Sequence, residues 1–112
     1  MKTVLFFIPL KKNSLKQHEE FAMKTVEKKD DYKDLLQRYD IYSAKIFHKN
    51  ISDRDYILVY HDVGPSFEEK MKNWSTSEHP FDKWFRGEIM AVYDIADADG
   101  MEQPRQLVDF VV

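Results

Sequence analysis

A chain of 112 residues with a formal charge of −3, 43% hydrophobic and 14% aromatic, reads as one folded domain spanning 1–112. It is too apolar for disorder, and with Lys and Arg scattered it lacks the basic patch of a nucleic-acid binder. It has no cysteine, hence no disulfide framework and no thiolate metal site, which fits a cytoplasmic protein.

The chain opens with MKTVLFFIPLKK. Its apolar run, Val4 to Leu10, is too short to span a bilayer and no small-residue cleavage site follows, so Thr3 to Leu10 is read as a strand and no membrane partner is expected. Asn13 and Ser14 are good caps for a helix whose inward positions are Leu15, His18, Phe21, Ala22, Thr25, Val26, Tyr32, Leu36 and Tyr39. A straight helix from Ser14 to Tyr39 would be ~39 Å long, against ~30 Å for the strand, so a break is expected in the polar run Glu27 to Asp31.

IYSAKIFHKN and RDYILVYHDV, joined by ISD, read as a hairpin. His48 shares a face of its strand with Tyr42, Ala44 and Ile46, and pairing Lys49 with Asp55 turns His61 to the opposite face. A slip of one residue reverses that. Ser66 caps a second helix with Glu68 and Glu69 in its first turn, STSEH interrupts it, and Pro80 restarts it. DIADADGMEQP is a loop, and RQLVDFVV is expected as a last strand.

The order β-α-β-β-α-β is the ferredoxin-like α+β arrangement: a four-stranded antiparallel sheet with helices on one face and the second helix region broken in two. The other face should be wet, yet Leu5 and Phe7 are as apolar as Val4, Phe6 and Ile8. Tyr56, Leu58 and Tyr60 likewise match Ile57 and Val59. Two sheets packed face to face in a homodimer would cover both.

This pattern resembles the dimeric α+β barrel superfamily, above all its uncharacterised small bacterial members and, more distantly, the L-rhamnose mutarotases. HEEF (His18 to Phe21) resembles a His-Glu-Glu-Tyr run on the mutarotase first helix. Ser75 and Thr76, with Trp84 and Phe85, resemble its Ser-Thr and Trp-Trp pairs, and RQLVDF its last strand. The resemblance implies the fold, the dimer and a pocket between sheet and helices. It does not carry the mechanism, because the mutarotase histidine and two tyrosines fall at Thr25, Phe21 and Ala44. WSTSE is similar to the start of the second helix in related monooxygenases. The histidine that haem degraders need falls near Lys83 or Trp84, and the first strand has no Asn.

Four histidines supply the groups that titrate near neutrality. His18 is placed at the edge of the core with a solvated ring. His79 precedes Pro80 at a helix N-cap, where it either caps the helix or faces a ligand. No His/carboxylate spacing suggests a metal, three glycines make no phosphate loop, and Ser77, His79 and Asp82 are chain neighbours rather than a triad; no cofactor or metal is expected. Phe81, Trp84, Phe85, Ile89 and Met90 recur at helical spacing as a core stripe. The candidate pocket comprises His48, Tyr60, Trp74, His79 and Trp84, taking a small polar or sugar-like ligand. The alternatives are a non-catalytic dimeric scaffold and a cofactor-independent monooxygenase-like enzyme.

Overall fold

The computed structural model describes residues 2–95 and 102–112. The elements are β1 (Lys2–Pro9), α1 (Leu15–Glu27), α2 (Lys29–Arg38), β2 (Ile41–Ile51), β3 (Arg54–Val63), α3 (Phe67–Met71), a 3-10 turn (Trp74–Thr76) and α4 (Pro80–Val92). β3 lies between β1 and β2 and pairs antiparallel with both. The protein is thus α+β, with a three-stranded antiparallel sheet.

The helix break falls where the charge run foretells it: Lys28 leaves helical geometry at φ −93° and ψ 38° between α1 and α2. The bend resets the helical phase. Leu35 rather than Leu36 becomes the buried leucine of α2, and Val26, expected inward, is 73% exposed. His18 is buried rather than solvated, because α1 lays it against Tyr93 at the end of α4.

The hairpin turn is one residue shorter than ISD suggests. Ile51 stays in the ladder opposite Arg54, and only Ser52 and Asp53 turn, both at positive φ (50° and 63°), as a two-residue type I′ turn requires. Asn50 therefore faces Asp55, Lys49 faces Tyr56, and the face of every β3 side chain is reversed relative to the expected pairing. His61 points to the helices, opposite Val4 and Ala44. Tyr42 is the extra residue of a bulge between Ile41 and Ser43.

The helices bury the sheet face made by Val4, Ile8, Ile57, Val59 and Val63. Phe21, Phe81 and Phe85 fill the layer above, the Phe85 ring centroid lying 4.9 Å from that of Phe21 and 5.9 Å from that of Phe81. Truncating one such phenylalanine to Ala costs roughly 3–5 kcal/mol. Leu5, Phe7, Phe47 and Leu58 stand on the opposite face, each at least 38% exposed. The strand expected over 105–112 is not part of this sheet: residues 103–112 carry no regular structure and are exposed. The β1 margin it would have joined is already in use. Leu5 N donates to Gln103 Oε1 and Gln103 Nε2 donates to Leu5 O, while Asp94 N donates to Pro9 O.

Candidate functional site

Between sheet and helices lies a cavity of about 340 Å³. The sheet supplies Phe6, Ile8, Ile46, Val59 and His61; α2 supplies Tyr32, Leu35 and Leu36; the 3-10 turn supplies Trp74 and Ser75; α4 supplies Phe85, Arg86, Ile89 and Met90. The walls are almost wholly apolar. Met90, assigned by its spacing to the core stripe, is 55% exposed and stands at the mouth.

Among the few polar members of this lining, His61 stands apart. Its Nδ1 is buried without a hydrogen-bond partner among the described residues. Phe6 meets its ring edge-on, centroids 6.2 Å apart. Burial lowers the imidazole pKa, so the ring is neutral at neutral pH. A buried polar atom left unpaired costs about 1–3 kcal/mol, a cost that a ligand atom bonded to Nδ1 would remove.

The other polar groups around the cavity are neutral or engaged. Burial pushes the Tyr32 hydroxyl up to about 12. Tyr93 is raised as well, by burial first, and its hydroxyl lies 3.0 Å from His18 Nε2. Burial, and then the nearby His48, lower the pKa of His18. Arg86 donates from Nη1 to Trp74 O at 2.8 Å and from Nη2 to Ser77 O at 3.2 Å, fixing the turn that carries Trp74.

Only Trp74 of the five sequence-predicted residues lines this cavity. His48 is on the helix side of β2, but near the hairpin end, with Nε2 2.8 Å from Asp55 Oδ1. Tyr60 is on the open face, opposite Leu5, with Lys45 Nζ 5.6 Å from its ring. Trp84 packs on Phe21 and Phe81, with Lys28 Nζ 5.1 Å from its ring. His79 is the N-cap of α4: Phe81 N donates to its Nδ1 at 3.2 Å, and its Nε2 lies 3.7 Å from Asp34. His61 was hidden by the turn length alone; two residues at Ser52-Asp53 instead of three would have placed it.

Behind the cavity, Asp82 is completely buried. Arg38 donates to both its oxygens at 2.7 and 2.8 Å, Tyr39 to Oδ2 at 2.8 Å and Ser77 to Oδ2 at 2.6 Å. Burial alone would raise this carboxyl, but the bonds from Arg38, Ser77 and Tyr39 outweigh it and hold the pKa at about 2. The cluster ties α2, the STSEH segment and α4 together and so fixes one wall of the cavity. Among the described residues no group of three His, Cys, Asp or Glu side chains could hold a metal ion, and no helix is long and apolar enough to cross a membrane.

The fold and cavity define a small α+β protein with an apolar chamber in which, among the described residues, the imidazole Nδ1 of His61 is buried without a partner. The chain belongs to DUF6176, a family of unknown function, whose family model matches residues 1–105. No curated protein and no solved structure matches it significantly.

Proposed function

We propose that this protein binds a small, mainly apolar molecule in the cavity between sheet and helices, with one hydroxyl-type group of the ligand hydrogen-bonded to His61 Nδ1. The observation that carries the reading is the buried, unpartnered Nδ1 in an apolar chamber of about 340 Å³. That volume lies within the usual range for ligand sites. A sugar fits less well than the sequence suggests: its many hydroxyls would lose water against Phe6, Val59, Phe85 and Ile89 with few partners to replace it. A thermal-shift panel of paired aromatics, such as 2-naphthol and naphthalene, tests the reading. The hydroxyl compound should raise Tm more than its hydrocarbon partner, and His61→Phe should abolish the difference. No stabilisation by any member would sink the reading.

A second reading is favoured by the opposite sheet face. Leu5, Phe7, Phe47 and Leu58 form a contiguous exposed apolar patch with a groove of about 280 Å³. Such a patch on a small domain marks an interface. The chain would pair as a homodimer through this face, as the resemblance to the dimeric α+β barrels implies, with residues 105–112 supplying the fourth strand. Light scattering of the wild type and of Leu58→Glu tests it: a dimer that the variant splits is expected, and a wild-type monomer at micromolar concentration would overturn it.

A further inference from the structure

Among the described residues, Arg86 is the one permanently charged side chain in the lining of the chamber, which holds no Lys, Asp or Glu. It is half-buried on α4. Its hydrogen bonds go to two neutral carbonyls, Trp74 O and Ser77 O, and among the described residues it forms no ion pair. Those bonds use two of the five guanidinium N–H groups and hold the group in place. The carboxylate one turn earlier on α4, Asp82, is already taken by Arg38, Tyr39 and Ser77. Arg38 thus spends its charge inside the fold, whereas Arg86 does not.

A charge drawn partly out of water is costly without a counter-charge, and an anion beside it lowers that cost. Ser75 stands in the turn that Arg86 holds and also lines the chamber. Its hydroxyl makes no hydrogen bond among the described residues, so it is a second donor at this end. The chamber therefore has an apolar body between an imidazole acceptor, His61 Nδ1, and a cationic wall group.

We propose that the ligand of this chamber is an apolar hydroxy monocarboxylic acid, its carboxylate bound by Arg86 with help from Ser75 and its hydroxyl by His61 Nδ1. A single guanidinium balances one negative charge and matches a carboxylate with paired N–H groups. A phosphate ester, close to dianionic at pH 7, would find no second cation in the described lining. The inference rests on the cavity reading and adds the anionic end of the ligand.

Calorimetric titration at pH 7 tests it, with 2-naphthol, 6-hydroxy-2-naphthoic acid, 7-hydroxy-2-naphthoic acid and the methyl ester of each acid. The two acids differ in the separation of their polar groups. At least one acid should bind the wild type roughly tenfold more tightly than its own ester. Arg86→Met should bring that acid-to-ester ratio close to one. Because Arg86 also holds the Trp74 turn, the ratio is the readout, and a general loosening of the site cancels in it. Arg86→Lys is the second variant. It keeps the charge without the paired N–H groups and should reduce the ratio severalfold. Acids that bind the wild type no better than their esters, while 2-naphthol binds, would overturn the inference and leave the cavity reading standing. A ratio undiminished in both variants would also overturn it. No binding by any of the compounds would remove both readings.

Discussion

Arg38 grips Asp82 with two parallel hydrogen bonds, 2.7 and 2.8 Å long, and joins α2 to the first turn of α4 across 44 residues of chain. The carboxylate has no solvent exposure, whereas the arginine side chain keeps 30% of its own. Breaking such a pair from the buried side strands four donor groups on three side chains. Asp82→Ala should therefore cost about 3–5 kcal/mol in urea unfolding. Ser77→Ala removes one of four bonds and should cost about 1 kcal/mol. Equal costs for the two would show that Arg38 and Tyr39 find other partners.

Acid should lower the stability of the protein in two pH windows. The pKa values of His18 and His61 are lowered by burial, so the unfolded chain takes up their protons first. Their stabilisation is complete above the unfolded histidine pKa and begins to fall as pH drops below ~6.5. Asp82, held at about 2, adds stability that is complete above the unfolded carboxyl pKa and is lost between pH ~4 and about 2. That second loss amounts to about 2–3 kcal/mol. Chemical denaturation across pH 2 to 8 measures both steps. His61→Phe should flatten the upper one in part, and Asp82→Asn the lower.

His79 is a cap and not a ligand in this account. Its ring nitrogen accepts from Phe81 N, satisfying one of the free amides at the start of α4. His79→Ala should lower stability by about 0.5–2 kcal/mol and leave ligand affinity unchanged. A weakened ligand response at constant stability would move the site towards α4.

Most of the architecture was legible because it depends on patterns a short window contains. The charge run at Glu27 to Asp31 announced the break at Lys28, and Pro80 with its preceding polar segment announced the start of α4. The β-rich runs around Ser52 announced the hairpin. Its register was not legible, since Ser and Asp are unusual occupants of two consecutive positive-φ positions and a three-residue turn matched the composition as well. That one residue hid His61, while Trp74 was found because a tryptophan beside a helix break has few places to go but a core or a pocket wall. The last segment reads as a strand from its β-branched and aromatic content. Whether it finds a ladder depends on which sheet edge is open, and at the β1 margin Gln103 bonds Leu5 and Asp94 bonds Pro9.

In the proposed function, His61 Nδ1 bonds an atom of the ligand. Long-range proton–nitrogen correlation of the histidine side chains, recorded while 2-naphthol is titrated, measures this directly. The His61 Nδ1 resonance should move progressively to saturation while those of His48 and His79 stay in place. An unmoved His61 resonance, with the compound shown to bind by a change in the Trp74 fluorescence, would contradict it.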